Sequence, residues 1–329
     1  MKMLREDEQP DNGLSRTSPS VSIIVNCLNG EQYLREALDS IFSQTFKDWE
    51  VIFWEDKDST DKSGEIAKSY GGKLRHFKAK EKLPLYGARN QAITKAKGRY
   101  IAVLDCDDIW MPTKLEEQIP LFEADKEVGL VYSNCILFNG RGREKRFFDV
   151  VRPERGRVFE KLLFSNFINT QTVVIRRDVL DGIGLFDGRL HMSGDYDAYL
   201  RIGFKWKLDY VNKPLARYRV HSSSMTLTDG RRLLAREIGL TIKNLRVTVP
   251  EIDTRYADGI KFLARRKDIQ TSLMSWEAGD RKSARHMIRQ FIFDSIYCSI
   301  LYFLMFFSYR IVFKPLHRLY QKNPVSDLD

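Results

Sequence analysis

The sequence predicts an α/β fold in which a mostly parallel sheet is covered by helices on both faces. Between residues 20 and 125, short apolar runs alternate with segments whose apolar residues recur at helical spacing. The composition agrees, because 329 residues, of which 43% are hydrophobic and 30% charged, are enough to bury a large core. From Arg231 onward the pattern is helical, which predicts an additional C-terminal helical segment.

The alternating part begins with a β-branched run, residues 21–25, that is typical of a buried strand. Asn29 is expected to cap the helix that follows, because Gln32 stands three residues later. Gly98 is suited to end a later helix. The other elements follow the same pattern, with strands predicted at 49–54, 73–77 and 100–104 and helices at 29–44, 60–70 and 87–98.

Beyond Asp125 the pattern becomes mixed. The predicted elements are strands at 128–138 and 170–176, a basic exposed loop at 140–146, a loop and helix within 184–203, and a closing strand pair within 208–221. We therefore expect three parts: a polar N-terminal lead (1–19), an α/β domain (20–228) with halves 20–125 and 126–228, and a helical region (229–329).

The chain has a formal net charge of +10, which favours an acidic partner such as a phosphorylated ligand or an anionic membrane. Its basic residues are spread along the chain without a nucleic-acid-binding motif, so no nucleic-acid partner is expected. Residues 1–20 contain no apolar segment of the kind found in secretory signals. The four cysteines show no zinc-binding spacing, and we expect reduced thiols and a cytoplasmic location.

Three polar loops directly follow predicted strands and are expected to meet at one edge of the sheet. They are Asn26–Gly30, Glu55–Asp61 and Asp105–Trp110. In open α/β sheets, ligands bind beyond the carboxyl ends of the strands, where the strand order reverses. The chain has neither a G-x-G-x-x-G motif after the first strand nor a P-loop motif, which argues against a dinucleotide site and a P-loop nucleotide site.

Asp105 and Asp107 follow the apolar run 100–104 and would project to the same side of an extended chain. Two neighbouring carboxylates repel each other unless a cation lies beside them, and Mg²⁺ or Mn²⁺ suits such oxygen ligands. The pattern therefore predicts a divalent metal that carries the pyrophosphate of a nucleotide. The alternative is that Asp107 or Asp108 caps a helix with Pro112 near its first turn.

Three stretches together resemble the family 2 glycosyltransferases, which have the GT-A fold with a Rossmann-like, mostly parallel sheet. They are residues 21–63, residues 87–110 (GARNQAITKAKGRYIAVLDCDDIW) and residues 194–203 (GDYDAYLRIG). The resemblance runs from Val21 to Ser224, and its motifs are in order and correctly spaced. It implies an inverting enzyme that uses a nucleotide sugar, of the type that builds bacterial cell-envelope polysaccharides.

The resemblance implies that individual residues bind the donor. The loop after the first strand would hold the nucleobase and ribose, and the acidic turn would read the base. Arg89 would lie near the nucleotide as a counter-charge, and the D-x-D motif would contact ribose or metal. The donor-binding residues implied in this way are Asn26, Cys27, Leu28, Asn29, Glu55, Asp56, Arg89, Asp105 and Cys106.

The resemblance also implies which residues carry the reaction. Asp107 would bind the metal, with Asp105 and His221 close to it. Asp195 would be the catalytic base that accepts the proton of the acceptor hydroxyl. The metal and Arg89 would stabilise the leaving nucleoside diphosphate, and a single displacement would invert the anomeric centre. A helix cap for Asp195, and an ordinary core or surface position for His221, are the alternatives.

Three positions depart from the family pattern. Leu28 stands where many members have an aromatic residue, Asp58 lengthens the acidic turn, and Gly194 replaces a glutamate that often precedes the base. All three bear on the identity of the donor. A UDP-sugar is expected from the frequency of such donors in the family.

A segment near the C-terminus, residues 291–313, is apolar and aromatic, with basic residues on both sides. This pattern is typical of a helix at an anionic membrane interface, and the alternatives are a tilted spanning helix, a core helix and a dimer interface. An enzyme at the cytoplasmic face of the membrane would use a saccharide or lipid-linked saccharide as its acceptor.

Two other functions are compatible with an acidic nucleotide pocket. Sugar-phosphate nucleotidyltransferases are expected to carry a glycine-rich basic loop after the first strand, and the run NCLNGEQYL is not such a loop. A non-catalytic nucleotide-sugar-binding scaffold would be expected to lack Asp107 or Asp195, and both are present. The sequence therefore favours a glycosyltransferase.

Overall fold

The computed structural model of the chain describes residues 18–221, 224 and 230–309. Its helices flank a large mixed sheet, which confirms the predicted α/β class and the C-terminal helical segment. The run Val21–Cys27 forms the central strand, and every residue in it is buried. A strand buried on both faces has no need of a polar alternation, which is why this run is almost continuously apolar.

The strands of the described chain agree closely with the predicted runs in the first half. They are β1 (Val21–Cys27), β2 (Trp49–Glu55), β3 (Leu74–Lys78), β4 (Tyr100–Val103), β5 (Ile109–Trp110), β6 (Val128–Asn139), β7 (Glu144–Arg146), β8 (Val174–Arg176) and β9 (Lys207–Val220).

The strand order is β3-β2-β1-β4-β8-β6-β9-β5, with β7 paired to β6. Val21 lies opposite Trp49 of β2 and Tyr100 of β4, and these strands together with β3 are parallel. Strand β8 runs antiparallel to both β4 and β6, so the second half of the sheet is mixed. After β1 the chain builds β2 and β3 on one side and returns to place β4 on the other. The order therefore reverses between β1 and β4, where such folds bind ligands.

Helices cover both faces of the sheet and form most of the C-terminal part. They are α1 (Glu31–Phe42), α2 (Ser63–Lys68), α3 (Leu85–Ile93), α4 (Lys114–Ala124), α5 (Phe159–Phe164), α6 (Arg177–Gly182), α7 (Gly194–Lys205), α8 (Gly230–Thr248), α9 (Ala257–Glu277), α10 (Arg281–Arg289) and α11 (Ile296–Leu304), with short 3₁₀ turns at Phe147–Asp149 and Thr170–Thr172.

Several local predictions were wrong. Gly30, not Asn29, precedes helix α1, and α3 ends at Ile93, before Gly98. Asp108 does not cap α4, whose N-terminal neighbour is Thr113. Only the last part of the predicted strand 170–176 is extended, since it begins with a 3₁₀ turn, and the expected strand pair within 208–221 is the single long strand β9.

The hydrophobic core continues from the sheet into the helices beyond residue 228. Ile238 and Leu245 of α8 and Leu263 of α9 belong to the same buried cluster as Leu162 of α5 and Leu200 of α7. A separate cluster joins the end of α9 to α10 and α11. The domain boundary near residue 228 stays a prediction, and the packing shows that helices on both sides of it share one core.

The apolar segment predicted at 291–313 contains the nine-residue helix α11, and its residues 310–313 lie outside the described chain. Among the described residues, no helix combines the length and the apolar character needed to cross a membrane. One side of α11 packs inward through Cys298 and Leu301. The other side exposes a surface that we name the C-terminal apolar patch: Phe293, Ile296, Ile300, Phe303, Phe306 and Phe307.

Candidate active site

A cavity of about 570 Å³ opens at the carboxyl ends of β1, β2 and β4. The three loops predicted to meet there do so, and together with later segments they form its walls. Of the residues singled out from the sequence, those that line the cavity are Asn26, Cys27, Leu28, Asp56, Arg89, Asp105, Cys106, Asp107, Asp108 and Asp195.

Asn26 and Trp54 lie side by side on β1 and β2 at one end of this cavity. Within the described chain, both polar atoms of the Asn26 side chain are buried without a hydrogen-bond partner, and so is the indole Nε1 of Trp54. Buried polar atoms are normally paired, so unpaired ones at a cavity indicate a ligand. Trp54 was missed in the sequence because it reads simply as the end of a buried strand.

Asn29 lies outside the described lining and holds two loops together. Its backbone has a φ of 51°, and its side-chain oxygen accepts a hydrogen bond of 2.9 Å from the backbone N–H of Thr60. Its own N–H donates to Ser59 Oγ at 3.1 Å. Leu28, directly before it, lines the cavity and is 51% exposed. Through these contacts Asn29 joins the loop after β1 to the loop after β2.

The adjacent acids Glu55 and Asp56 face different surroundings. Glu55 is buried away from the described lining, and its carboxylate pairs with His76 Nε2 at 2.8 Å and Lys78 Nζ at 2.9 Å. Asp56 lines the cavity, and its Oδ1 accepts a hydrogen bond of 2.9 Å from the N–H of Asp58. The side chain available to a ligand is therefore that of Asp56.

Asp105 is held from two directions. Its Oδ1 accepts a hydrogen bond of 2.7 Å from Arg89, and its Oδ2 accepts one of 2.5 Å from Gln171. Gln171 also accepts from the backbone N–H of Asp105 at 2.8 Å. Burial alone would lower the pKa of Arg89, and the carboxylate of Asp105 instead raises it. Gln171 was missed because its segment was read as a strand.

Asp107 lines the cavity and contacts His221, which lies outside the described lining. Its Oδ2 lies 3.0 Å from His221 Nε2, and the imidazole packs against Tyr33 with ring centroids 5.2 Å apart. Burial, and then the neighbouring charge of Asp105, raise the pKa of Asp107. The residues predicted as metal ligands therefore divide into a facing pair, Asp107 and His221, and an acid already engaged by other partners, Asp105.

The donor set fits a divalent cation that also takes ligands from a diphosphate. Asp107 and His221 offer one oxygen and one nitrogen, and Mg²⁺ and Mn²⁺ accept few protein ligands when substrate phosphates supply others. Within the described residues, no group of three or more acidic, histidine or cysteine side chains is arranged to bind a metal unaided. A site completed by the diphosphate is consistent with that observation.

Asp108 supports the D-x-D loop from below. It is buried, and its Oδ1 accepts a hydrogen bond of 2.6 Å from the N–H of Arg219. The guanidinium Nε of Arg219 in turn donates to the backbone oxygen of Asp107 at 2.8 Å. Burial raises the pKa of Asp108 well above its usual range. This contact attaches strand β9, which precedes His221, to the aspartate loop.

Asp195 stands at the start of α7 and lines the same cavity. Ser193 occupies the position before the helix, and it makes no side-chain capping bond, so the helix-cap alternative for Asp195 does not describe its place. Thr170 Oγ1 donates a hydrogen bond to Oδ2 of Asp195, and the N–H of Tyr196 donates to Oδ1 at 2.7 Å. Burial raises the pKa of Asp195, while these bonds oppose the rise.

Gly194 stands directly before Asp195, where the family pattern often has a glutamate, and its surroundings leave no room for a side chain. A Cβ at this position would lie 2.5 Å from the ring of Tyr86, which real Cβ atoms essentially never approach. The Tyr86 ring therefore fills the space that a side chain at position 194 would need. Tyr86 also packs under Arg89, whose guanidinium carbon lies 5.1 Å from the ring centroid.

Glu237 of α8 organises the loop that leads into α7. Its carboxylate accepts hydrogen bonds of 2.8 Å from the N–H groups of His191 and Ser193, one of 3.0 Å from the N–H of Met192, and one from Ser193 Oγ. It is 2% exposed. The sequence did not indicate Glu237, because in a helical pattern an acid that binds a distant loop looks like any other acidic residue.

The chain matches the family described as Glycosyl transferase family 2 over residues 22–184. It is 34% identical over 218 residues to an uncharacterized glycosyltransferase of Rickettsia typhi, covering 64% of this chain and 67% of that protein. It is 30% identical over 208 residues to the UDP-Glc:alpha-D-GlcNAc-diphosphoundecaprenol beta-1,3-glucosyltransferase WfgD of Escherichia coli, covering 63% and 79%. The chain belongs to glycosyltransferase family 2, which confirms the resemblance and the enzyme class.

Solved structures share the fold. TarS 1-349 of S. aureus in complex with UDP-GlcNAc superposes with a TM-score of 0.53 at 18% identity, covering 82% of this chain and 90% of that one. The mannosyltransferase PcManGT of Pyrobaculum calidifontis, with GDP-Man and Mn²⁺, gives 0.56 at 16% identity, covering 95% and 86%. The chain therefore has the GT-A fold.

Proposed function

We propose that the protein transfers a sugar from a nucleotide sugar, most simply a UDP-sugar, to a hydroxyl group of a saccharide or lipid-linked saccharide, with inversion at the anomeric carbon. One observation carries this proposal. Asp195, Asp105 and Asp107 line one and the same cavity. A direct displacement requires a base and a diphosphate-binding group beside one bound donor.

The nucleotide would occupy the end of the cavity at β1 and β2. The unpaired amide of Asn26 and the indole of Trp54 would meet the base, with the Asp56 carboxylate close by. Trp54 offers the aromatic surface that Leu28, at the position often aromatic in the family, does not. A UDP-sugar is supported by the UDP-Glc donor in the name of the Escherichia coli relative WfgD and by the UDP-GlcNAc bound to TarS.

Asp107 and His221 would hold Mg²⁺ or Mn²⁺ against the donor diphosphate. When bound, such an ion supplies positive charge that stabilises the departing nucleoside diphosphate. A structural neighbour with bound GDP-Man and Mn²⁺ supports a divalent cation in this fold. Because Arg89 and Gln171 already engage both oxygens of Asp105, we assign Asp105 the role of fixing the loop and contacting the donor.

Asp195 would act as the general base. Its carboxylate accepts the proton of the acceptor hydroxyl while that oxygen attacks the anomeric carbon from the face opposite the leaving group. Thr170 and the Tyr196 N–H orient the carboxylate. The buried guanidinium of Arg89 pairs with Asp105, and its charge also favours the negatively charged form of Asp195.

The acceptor would enter beside the second half of the chain. There the lining combines the apolar side chains of Phe147, Val151, Ile168 and Met192 with polar ones such as Asn166 and His191. Such a wall suits the flat faces of sugar rings or a lipid-linked saccharide. The diphosphoundecaprenol-linked acceptor in the name of WfgD, and the amylovoran biosynthesis named for AmsB of Erwinia amylovora, support a role in polysaccharide biosynthesis.

We also propose that the C-terminal apolar patch rests on the cytoplasmic face of an anionic membrane. Phe293 is 96% exposed, Ile296 81% and Phe303 67%. Exposing so much adjoining apolar surface to water is unfavourable and is typical of an interaction site. Arg281 and Arg285 donate to the backbone oxygens of Phe306 and Met305, so two cations border the patch. Apolar side chains rimmed by cations are typical of an interfacial membrane contact.

The test is a donor panel with the full chain. UDP-, GDP- and dTDP-sugars are incubated with the protein in the presence of Mn²⁺, Mg²⁺ or EDTA. The nucleoside diphosphate that is released is measured with and without a lipid-linked saccharide. Metal-dependent release from one donor, lost in both Asp107→Ala and Asp195→Asn, is the expected result. Absence of binding and turnover for every nucleotide sugar would overturn the proposal and favour a non-catalytic role.

A further inference from the structure

Two cysteine side chains meet inside the donor cavity. Cys27 ends strand β1, and Cys106 stands between Asp105 and Asp107; both line the cavity. The sulfur atoms of both residues lie beside Gly30. None of the roles argued above for the transfer reaction requires a second sulfur at this place.

The parallel pairing of β1 and β4 brings the two residues to the same end of the sheet. Strands β1 and β4 are parallel, with Val21 opposite Tyr100 and Ile24 opposite Val103, and the N–H of Leu104 still donates to the oxygen of Ile24 at 3.1 Å. The pairing ends at Val103, and Cys106 lies in the turn that follows, near the end of β1 where Cys27 stands. A disulfide needs Cα atoms about 4.4–6.8 Å apart.

Gly30 shows how close the two sulfur atoms are. A Cβ placed on Gly30 would lie 2.6 Å from Cys27 Sγ and 2.8 Å from Cys106 Sγ. Both sulfurs therefore border one small space, and their separation is at most the sum of those two distances. Because position 30 is a glycine, no side chain of that residue occupies this space.

We propose that Cys27 and Cys106 form a redox-sensitive thiol pair, which hydrogen peroxide or a similar peroxide oxidises to a disulfide that blocks nucleotide binding. One thiolate attacks a peroxide oxygen, the O–O bond breaks, and a sulfenic acid and water result. The second sulfur then attacks the sulfenic sulfur, forms the S–S bond and releases a second water. In total, two thiols lose two hydrogen atoms to one peroxide.

The disulfide would act on the donor site through the D-x-D loop. An S–S bond of about 2.05 Å draws Cys106 toward β1, and Asp105 and Asp107 must follow because they are its direct neighbours. Asp105 is fixed by Arg89 and Gln171 at 2.7 Å and 2.5 Å, so a shift of the loop breaks a tightly bonded arrangement. This regulatory effect rests on the proposed nucleotide site, whereas formation of the bond does not.

The experiment begins with the bond itself. The full chain is treated with a small excess of hydrogen peroxide, remaining thiols are alkylated, and digested peptides are analysed by mass spectrometry. We expect a peptide pair linked through Cys27 and Cys106 in the wild type and in Cys135→Ser and Cys298→Ser, whose cysteines are fully buried in other parts of the core. Alkylation of both Cys27 and Cys106 after peroxide treatment would overturn the proposal.

Nucleotide binding is measured on the same samples by calorimetry with UDP and GDP as probes. Oxidation of the wild type should weaken the affinity about tenfold or more, and a dithiol reductant should restore it. For Cys27→Ser and Cys106→Ser, the nucleotide affinity of each variant is measured before and after peroxide treatment. This affinity should be the same in both measurements, and the melting temperature of each variant verifies that it is folded. A linked protein that binds as tightly as the reduced one would overturn the block. If the reduced protein binds neither nucleotide, both the proposed function and the proposed inhibition of nucleotide binding are overturned. The mass spectrum still shows independently whether the Cys27–Cys106 disulfide forms.

Discussion

The guanidinium of Arg89 lies 2.7 Å from the carboxylate of Asp105, and only 1% of the arginine side chain is exposed. This pair connects helix α3 to the loop after β4, and Gln171 completes it from the other side. A buried cation without its anion is strongly unfavourable. The first aspartate of the D-x-D motif is therefore held in place by other side chains of the protein.

Replacing Arg89 with methionine should leave Asp105 without its counter-charge. We expect the free energy of unfolding to fall by about 1–3 kcal/mol, as when a hydrogen-bonded partner is lost, because Asp105 is 32% exposed and keeps its bond from Gln171; UDP binding should weaken as well. Urea denaturation and calorimetry measure the two effects. Arg99→Met is the matched control, because Arg99 and Glu123 form a largely exposed pair that contributes about 1 kcal/mol or less. Equal losses in the two variants would contradict a special role for the buried pair.

Metal binding should depend on Asp107 and His221 together. Asp107→Asn and His221→Ala should each weaken Mn²⁺ binding in the presence of UDP by about tenfold or more, because each removes a proposed ligand. Electron paramagnetic resonance of free Mn²⁺ measures the affinity directly, independently of turnover. His286→Ala, on the exposed surface of α10, should bind as the wild type does. Unchanged Mn²⁺ affinity in Asp107→Asn would reject the proposed site.

The general base should produce an acidic limb in the pH profile. Asp195 must be deprotonated to accept a proton, and burial raises its pKa, so kcat should fall as the pH decreases through that raised value. Thr170 donates a hydrogen bond that lowers this pKa. Thr170→Val should therefore move the acidic limb to higher pH, and Asp195→Asn should reduce kcat by about 10²–10⁴-fold.

The control for the base is nucleotide binding, since the transferred proton plays no part in it. UDP affinity should change little in Asp195→Asn, while kcat collapses. An acidic limb that stays at the same pH in Thr170→Val, in a protein with unchanged melting temperature, would show that another group sets the profile.

The sequence indicated the site residues that lie near strand ends. It did not indicate those whose roles depend on contacts between segments far apart in the chain. Asn26, Asp56 and Asp107 could be predicted because each lies at or shortly after the carboxyl end of a strand, and parallel strands end at the same edge of a sheet. Trp54, Gln171 and Glu237 could not, because their roles depend on which distant segment packs beside them. Asn29 shows the converse: a residue suited to a helix cap instead takes a left-handed conformation and joins two loops.

The loop before the base should depend on an acid from another part of the chain. Glu237→Ala removes the acceptor for three backbone N–H groups and one hydroxyl between His191 and Ser193. Leaving such buried donors unpaired costs about 1–3 kcal/mol each, so we expect a lower melting temperature and a lower kcat, with a smaller change in UDP affinity. Glu237→Gln should be intermediate because it keeps an acceptor oxygen.

Glu277→Ala, an exposed acid at the end of α9, is the comparison for Glu237. It should change neither melting temperature nor kcat. A loss of stability in Glu237→Ala without any effect on kcat, once measured well below the melting temperature, would show that the loop keeps Asp195 in place by other contacts.

Membrane binding should require the aromatic side chains of the C-terminal apolar patch. Phe303→Ser combined with Phe307→Ser removes two exposed rings, 67% and 60% accessible, and should weaken binding to vesicles by about tenfold or more, because insertion of apolar surface supplies much of the affinity. Sedimentation with vesicles rich in phosphatidylglycerol measures the bound fraction, and neutral vesicles should bind less because the bordering arginines then lack anionic partners. Val247→Ser, which removes another highly exposed apolar side chain, on α8, should bind like the wild type. Equal sedimentation of the double variant and the wild type would exclude this face as the membrane contact.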